Sequence, residues 1–429
     1  MRLSDLQGRR LVVLGLGDDV SAALGAVVAA GPADVHLVDA DPHRASARLR
    51  AEHPGLAGNV PVLGRLEDAP SAEVALRSPG FCLYQPELAR RTGAGLVTTT
   101  PLDLWVNERG EGPMVVVTGT KGKSSTAVLV SEALRRLGHP ALVLANIGVP
   151  PWTVSPGVPE VAVLEVSSYQ AADLSRTAPI GALTAIGEDH VNWHGSLERY
   201  LADKARTFLA PAGGERRWYG VPDDIVLPPA FVPADLVPVR TGSHDVRRRN
   251  AVLAAATALA LTGPKADRGH LAGQLLDGYP QLPGRMSLVA RVAGVDYVDD
   301  SLASNPLGLA AALRSTGDRV TTVIVGGHDR GVGAGAAVQA ARERSVRAAL
   351  VWLDEGNGLA EALSPWCTSA RAAGSLEEAV ALGASLTPRG GTVVFSPGMP
   401  TPEDQGNWAT RSARFRRAVE GLAGAPEPA

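Results

Sequence analysis

Short apolar runs alternate with helical patterns along almost the whole chain. The run LVVL at residues 11–14 is followed by glycine. The helical stretch VSAALGAVVAAG and a second run, DVHLVDAD, come next. Comparable runs recur as VVVT, ALVLA, VAVLE, VDYVD, TTVIVG and TVVFSPG. Apolar runs bounded by Gly, Asp or Ser are typical of strands that helices cover on both faces. The pattern therefore predicts an α/β fold of mostly parallel sheets.

The pattern divides into three blocks. A polar, Gly-rich stretch at 107–113 separates the first block from the second, and a Pro-Gly break at 282–285 opens the third. A chain of 429 residues is also too long for one ordinary core. We expect three domains, each a mostly parallel sheet covered by helices: a Rossmann-like domain at 1–108, a central α/β domain at 109–284 and a second Rossmann-like domain at 285–429.

Composition excludes several classes of protein. The net charge is −3 and 45% of the residues are apolar, so no basic excess attracts nucleic acid or a membrane surface. No apolar run reaches the length of a membrane span, and the first run is a strand rather than a signal peptide. Cys82 and Cys367 lie far apart and indicate buried thiols rather than a disulfide. These features predict a cytoplasmic protein, and we separately expect it to be a monomer.

The stretch VVVTGTKGKSST, residues 115–126, carries the clearest chemistry. An apolar strand runs into a glycine turn and then into a helical pattern at 126–137, so backbone N–H groups converge on one point. This arrangement suits the phosphates of ATP, with Lys123 as a point charge and the Ser124 hydroxyl as a magnesium ligand. Val117 stands where the usual GxxxxGK[ST] motif has glycine. The predicted ATP-binding residues of the turn are Gly119, Thr120, Lys121, Gly122, Lys123, Ser124 and Ser125.

A second glycine turn, Gly15-Leu16-Gly17, follows the first strand. It either packs a helix closely on the sheet or binds a phosphate-bearing nucleotide, with Asp39 placed for a sugar hydroxyl and Ser78 as a further donor. Asp18 and Asp19 are unfavourable beside a diphosphate, which argues against a dinucleotide redox cofactor.

Polar residues follow two strands of the second block. Glu165 ends the run VAVLE and is either a second magnesium ligand or a solvated capping residue. Asn146 follows the run ALVLA and faces the same predicted crevice.

Two further residues could take part in a phosphate or metal site. His190 follows an apolar strand and either binds a metal or phosphate or plays a structural part. Lys204 shares a helix face with Tyr200, Leu201 and Phe208. It is either paired or modified there, or a surface lysine whose stem covers that face.

In its ordered motifs the chain resembles the Mur ligase family of peptidoglycan synthesis, in the glutamate-adding branch of cell-wall assembly. The motifs are TGTKGKS, ANIG, LEVSSYQ, EDHVNWHGSLERYLADKARTF, DDSLASNP, GGHDR and SPG…QGNW. The resemblance implies an ATP-dependent amide ligase that joins glutamate to UDP-N-acetylmuramoyl-L-alanine through an acyl phosphate and releases ADP and phosphate.

The resemblance also implies roles for individual residues. Ser124 and Glu165 would bind one magnesium ion, while His190 and a carbamylated Lys204 would bind a second. The residues of catalysis would be Lys123, His190 and Lys204. Further ATP contacts would come from Asn250, Arg285 and Asp300. The UDP-sugar substrate would contact the turn from Gly15 through Gly17 and Asp18 to Asp19, together with Asp39, Ser78, Asn146 and Ser167. The incoming amino acid would lie near Ser304, Arg330, Thr401 and Trp408.

Some positions depart from the family pattern. Leu302 replaces a usual lysine, Val246-Arg247 replaces a histidine-asparagine pair, and Arg330, Thr401 and Trp408 stand where lysine, serine and phenylalanine are common. Because these changes gather around the expected amino-acid pocket, we expect L-glutamate rather than D-glutamate, with a separate epimerase acting on the product. The alternatives are a kinase that phosphorylates a hydroxyl, a folylpolyglutamate-type ligase and a catalytically silent nucleotide-binding protein.

Overall fold

The computed structural model describes residues 1–147, 149–209, 211, 215–221, 236–242, 245–263, 266–278, 283–328, 332–343, 348–353, 358–402 and 405–423. Within these residues the strands form three sheets. Helices cover the sheets, and the α/β fold class predicted from the sequence is confirmed.

The first sheet has five parallel strands in the order β3-β2-β1-β4-β5. Its strands are β1 (Arg10–Leu14), β2 (Asp34–Val38), β3 (Val62–Leu63), β4 (Val74–Arg77) and β5 (Val97–Thr99). Its helices are α1 (Asp18–Ala29), α2 (Pro42–Glu52), α3 (Pro86–Gly93) and α4 (Pro101–Arg109). Val13 and Val12 of β1 belong to different buried clusters, which shows that both faces are covered. The strand order reverses between β1 and β4, where α/β sheets open a ligand crevice.

The second sheet has six parallel strands in the order β11-β10-β9-β6-β8-β7. The strands are β6 (Met114–Thr118), β7 (Ala141–Ala145), β8 (Val161–Glu165), β9 (Ile180–Leu183), β10 (Arg217–Gly220) and β11 (Leu236–Pro238). The helices are α5 (Lys123–Arg136), α6 (Ser168–Ala171), α7 (Val191–His194), α8 (Leu197–Leu209), α9 (Val246–Thr262) and α10 (Arg268–Asp277). Helix α5 begins three residues before the predicted start, because Gly122 at φ +91° reverses the chain and is its N-cap.

The third sheet has the order β12-β13-β17-β14-β15-β16. Its strands are β12 (Ser287–Val292), β13 (Val295–Asp299), β14 (Thr321–Gly326), β15 (Ala348–Leu353), β16 (Ser369–Ala373) and β17 (Thr392–Gly398). Its helices are α11 (Pro306–Ser315), α12 (Gly335–Glu343), α13 (Gly358–Leu363), α14 (Leu376–Leu386) and α15 (Trp408–Ala423). The prediction of mostly parallel sheets is confirmed; the exception is β12, which pairs antiparallel with β13. The two-residue turn Ala293-Gly294 has positive φ at both positions, and so tight a turn joins only antiparallel strands.

The described chain divides into two compact units. The first comprises Met1–Ile186, His190–Thr241 and Asn250–Asp277, and it contains the first two sheets. The second comprises Gly187–Asp189, Gly242–Arg249 and Gly278–Ala429 and contains the third sheet. The domain boundaries drawn from the sequence at 108 and 284 remain a prediction. Among the described helices, none has the length and apolarity that a bilayer crossing needs. Both cysteines are free thiols, as expected, and they are partly rather than completely buried.

Candidate active site

The predicted phosphate turn lies between β6 and α5, against the end of β9. Gly119 has φ +145°, and a Cβ placed on it would lie 2.0 Å from the Thr184 hydroxyl oxygen. The Thr120 N–H donates to the Ala185 carbonyl at 2.7 Å. Only glycine fits at 119, because a side chain would meet both an unusual backbone angle and a close neighbour. The turn is therefore held in one shape by the neighbouring strand.

The side chains that follow the turn lie where the sequence predicted a polyphosphate. Lys123 begins α5, and its Nζ donates to the Thr120 carbonyl at 3.0 Å. Ser124 and Ser125 are buried in the first turn of that helix. Asn250 of α9 reaches the same turn, since its Oδ1 would lie 3.2 Å from a Cβ on Gly122. The structure thus brings Asn250, which was predicted to contact ATP, to the phosphate turn.

Glu165 has the open coordination that a cation needs. It ends β8 beside Val117 of β6 and is 1% exposed. Its Oε1 accepts from Asn146 Nδ2 at 2.9 Å, whereas Oε2 has no hydrogen-bond partner among the described residues. A buried, unsatisfied carboxylate oxygen is costly unless a cation neutralises it. The hard oxygen donors Glu165 and Ser124 therefore fit magnesium.

Lys204 is confirmed as a buried residue on an apolar helix face. It is 2% exposed, and its neighbours Tyr200, Leu201 and Phe208 on α8 are also buried. Its Nζ donates to the Gly119 carbonyl at 2.9 Å, and the Tyr200 and Thr120 hydroxyls lie 2.6 Å apart. These contacts bring α8 and its lysine onto the phosphate turn.

His190 reaches the same region through an aromatic neighbour. It has a left-handed backbone, with φ +52°, and precedes α7. Its Nδ1 lies 2.9 Å from the Tyr169 hydroxyl on α6, the helix that follows β8. Within the described ranges no three His, Cys, Asp or Glu side chains form a ready metal cluster. A magnesium centre here would therefore depend on the Ser124 hydroxyl and on a modified Lys204 as well as on Glu165 and His190.

The first glycine turn lies against Ser78 of the neighbouring strand. A Cβ on Gly17 would lie 2.9 Å from the Ser78 hydroxyl, and one on Gly15 would lie 3.1 Å from Ser78 Cβ. Asp39 Oδ2 accepts from the Leu16 N–H at 2.9 Å and is 7% exposed. The structure thus brings Gly15, Gly17, Asp39 and Ser78 together at the point where the strand order reverses.

A pocket of about 330 Å³ opens beside this turn, within the first compact unit. It is lined by five predicted substrate residues: Asp18, Asp19, Ser78, Asn146 and Ser167. The lining also includes Tyr169 and Gln170. Because Asn146 also donates to Glu165, one end of the pocket adjoins the candidate metal ligand.

Several functional contacts were not predicted from the sequence. Arg48 of α2 donates to Asp18 Oδ1 at 2.8 Å and to the Leu16 carbonyl at 3.1 Å, so a cation offsets the acidic start of α1. Gln170 donates to Asp19 Oδ2 at 3.1 Å. Burial raises the pKa of Asp19, and the Gln170 hydrogen bond opposes that shift. The Ser-x-x-Gln spacing of 167 and 170 is a capping-box signal that could have identified Gln170, whereas no local signal marks Arg48.

The predicted residues of the third block belong to the second compact unit. Asp300 is 8% exposed and accepts from the Met286 N–H at 3.2 Å and the Ser396 hydroxyl at 2.8 Å. Arg285, Ser304 and Thr401 are partly buried. Trp408 begins α15 and is 37% exposed. Arg330 lies outside the described residues.

Comparison with known proteins gives a consistent family. The profile of the Mur ligase middle domain matches residues 117–214. The chain is 31% identical to UDP-N-acetylmuramoyl-L-alanine--L-glutamate ligase of Micromonospora sp., over 99% of this chain and 100% of the relative. It is also 31% identical to UDP-N-acetylmuramoylalanine--D-glutamate ligase of Geobacter metallireducens, with the same coverage.

Two solved structures share the fold at low identity. MurF ligase from Thermotoga maritima, in complex with ADP, has a TM-score of 0.53 at 14% identity, covering 98% of this chain and 97% of its own. Mycobacterium tuberculosis folylpolyglutamate synthase, complexed with ADP, has a TM-score of 0.50 at 17% identity and covers 76% of this chain and 93% of its own.

Proposed function

Because the chain belongs to the Mur ligase family, we propose that it joins glutamate to UDP-N-acetylmuramoyl-L-alanine at the expense of ATP, forming an amide bond in peptidoglycan synthesis. One observation carries the proposal. Asn146 lines the pocket beside the first glycine turn and donates to Glu165, whose second oxygen is open. A substrate in that pocket would thus present its reacting end beside a cation ligand and the phosphate turn.

Each residue of the site has a separate role in a mechanism that proceeds through an acyl phosphate. The carboxylate of the acyl donor attacks the γ-phosphate of ATP, and ADP leaves. The glutamate amine then attacks the mixed anhydride, loses a proton and displaces phosphate. Lys123 and the N–H groups of the turn offset the charge that develops on the transferred phosphoryl group. Asn146 orients the acyl end, and Asn250 positions the nucleotide. Two magnesium ions, bound by Ser124 and Glu165 and by His190 and Lys204, would supply Lewis acidity.

Carbamylation of Lys204 belongs to the same proposal. The ammonium group first loses a proton to solvent, and the neutral Nζ then adds to CO₂. As the N–C bond forms a second proton leaves to solvent, so that a buried cation becomes an anionic oxygen ligand. The burial of Nζ against the Gly119 carbonyl supports this change, because an apolar site disfavours an ammonium group.

The carbamate is tested by chemical rescue. The Lys204→Ala variant should lose turnover, and added acetate or propionate should restore part of it. Methylamine is the control for the unmodified amine. Rescue by methylamine and not by the acids would contradict a carbamate.

The amino acid is proposed to be L-glutamate, and the product would then need a separate epimerase. The name of the Micromonospora relative and the altered residues at Leu302, Thr401 and Trp408 support this choice, although the relative named for D-glutamate is equally identical. We further propose a cytoplasmic monomer, and sedimentation of the purified chain tests its oligomeric state.

The decisive experiment measures ADP release with ATP, Mg²⁺, UDP-N-acetylmuramoyl-L-alanine and each glutamate enantiomer. We expect turnover that requires the acyl donor and prefers the L form. Preference for D-glutamate would reject the stereochemical proposal alone. Turnover with a folate in place of the UDP-sugar would favour the folylpolyglutamate-type alternative, which the first sheet and its pocket disfavour. Tight ATP binding without ADP release would indicate a silent nucleotide-binding protein.

A further inference from the structure

The orientation of the Gln170 amide is fixed by its neighbours. The Ser167 backbone N–H can only donate, and it lies 3.1 Å from Gln170 Oε1. Oε1 is therefore the carbonyl oxygen, and the NH₂ group points to Asp19. Asp19 Oδ2 accepts from that group at 3.1 Å. One oxygen of Asp19 is thus committed to the protein.

The other oxygen of Asp19 is available to a ligand. Asp19 lines the pocket, and the described residues provide no hydrogen-bond partner for Oδ1. Asp19 is only partly buried, and its Oδ1 keeps accessible surface, so solvent reaches this atom from the pocket. The neighbouring Asp18 differs, because its side chain is 83% exposed and paired with Arg48.

The charge of the proposed substrate restricts what Asp19 can contact. The substrate is anionic at its diphosphate and at its reacting carboxylate, and both repel an ionised Asp19. The stretch between them is neutral and carries amide N–H groups and hydroxyls, which donate hydrogen bonds. Asp19 is two residues after Gly17, which lies against Ser78, and through Gln170 it also adjoins Ser167, which lines the same pocket as Asn146.

We propose that Asp19 determines specificity for the acyl donor by accepting, at Oδ1, a hydrogen bond from a neutral N–H or O–H group between the diphosphate and the reacting carboxylate. The Gln170–Ser167 capping box holds the carboxylate in the orientation that this contact needs. The inference rests on the proposed function, because it assumes that a UDP-linked muramoyl peptide occupies the pocket.

The Asp19→Asn variant separates this role from a structural one. The amide oxygen of asparagine still accepts from Gln170, but the pocket then faces an NH₂ donor instead of an acceptor. We expect the dissociation constant of UDP-N-acetylmuramoyl-L-alanine to rise at least tenfold, the order of a lost hydrogen bond to a charged group. UDP alone lacks the neutral stretch and should bind equally well or more tightly, because a repulsive charge is gone.

Titration calorimetry with UDP, UDP-N-acetylglucosamine and the full substrate gives the readout. UDP-N-acetylglucosamine shows which substrate group donates the hydrogen bond to Asp19, since it keeps the sugar and acetamido group but lacks the alanine amide. Asp68→Asn is the matched control, because it removes the same charge. Asp68 is an exposed carboxylate that pairs with Arg65, and it lies in the same compact unit as Asp19. KM for the acyl donor should rise in Asp19→Asn with little change in kcat.

The outcomes distinguish the two proposals. Equal shifts for UDP and for the full substrate, or no shift for either, would overturn the role of Asp19 and leave the ligase proposal standing. Failure of the wild-type chain to bind the full substrate would overturn both. The Asp19→Ala variant, which removes the acceptor and the Gln170 contact, should also bind the full substrate more weakly than the wild type, and wild-type affinity would count against the inference.

Discussion

At Glu165 the two carboxylate oxygens have different surroundings, and the difference predicts how a variant behaves. Asn146 satisfies Oε1, while Oε2 is buried with no partner among the described residues. The Glu165→Gln variant keeps the shape but removes the charge that would bind magnesium. We expect ADP release to fall by about 100-fold or more, as for loss of a group that stabilises transition-state charge.

The stability of the same variant provides a second readout. In EDTA, Glu165→Gln should be at least as stable as the wild type, because the substitution removes an unpaired buried charge. Glu132→Gln on α5 is the control, since that side chain is partly exposed and paired with Arg136. A melting temperature that drops together with activity in EDTA would mean that Glu165 is a structural residue.

Asp296 of β13 gives a pH prediction. The Arg291 guanidinium at 2.5 Å and Arg319 at 2.6 Å hold the pKa of Asp296 below its ordinary value. A lowered folded-state pKa stabilises the fold above the unfolded pKa, near 3.8, and that stability is lost as pH falls through the folded value. Asp296→Asn should therefore lower the free energy of unfolding at pH 7 by about 1 kcal/mol.

Urea unfolding of the Asp296 variant at pH 7 and at pH 3 checks this sign. The difference between Asp296→Asn and wild type should shrink at the lower pH. A difference that stays constant or grows would show that the carboxylate does not stabilise the fold through its charge.

At the scale of an element, the phosphate turn depends on Gly119. A methyl group there would meet both φ +145° and the Thr184 hydroxyl oxygen at 2.0 Å. We expect Gly119→Ala to lower the free energy of unfolding by about 2–4 kcal/mol and to abolish ATP binding, because β6 or β9 must shift. Gly138→Ala is the matched control: φ is also positive, at +84°, but the space is open, so its cost should be about 1 kcal/mol. Equal costs in urea unfolding would remove the steric argument.

Elements whose signals are local were predictable from the sequence. The apolar run before Gly119 and the one that ends at Glu165 are adjacent parallel strands. Parallel strands bring their carboxyl ends to one edge of the sheet, so these two positions were expected to lie close together. The antiparallel pairing of β12 was missed even though its signal is also local, in the Ala293-Gly294 turn. The start of α5 was missed because Gly122 acts through its backbone angle, which composition does not reveal.

At the scale of the whole molecule, the contacts that join sheets were not predictable. Arg77 is fully buried and pairs with Asp173, although an arginine that ends a strand is ordinarily interpreted as a surface residue. Its partner lies 96 positions away, and only the folded topology brings the two together. The predicted residues near Asp300 and Trp408 belong to the second compact unit, and their roles remain predictions.

The Arg77–Asp173 pair predicts that the first two sheets unfold together. Arg77 Nε donates to Asp173 at 2.7 Å, and the rest of the guanidinium donates to carbonyls that include Pro79 and Tyr169, both in the pocket wall. Arg77→Ala leaves a buried carboxylate unpaired, so we expect a loss of about 3–5 kcal/mol and a higher KM for the acyl donor. Arg90→Ala on the exposed face of α3 is the control.

A double-mutant cycle with Asp173→Ala separates pairing from packing. Once Arg77 is absent, removing Asp173 also removes the unpaired charge, so the double variant should cost less than the sum of the single variants. The hydrogen bond from Thr98 to Asp173 Oδ1 at 2.6 Å limits this recovery, because it loses its acceptor. Urea unfolding followed by tryptophan fluorescence and by circular dichroism should give coincident transitions for the first compact unit. Additive costs would mean that the ion pair does not couple the two sheets.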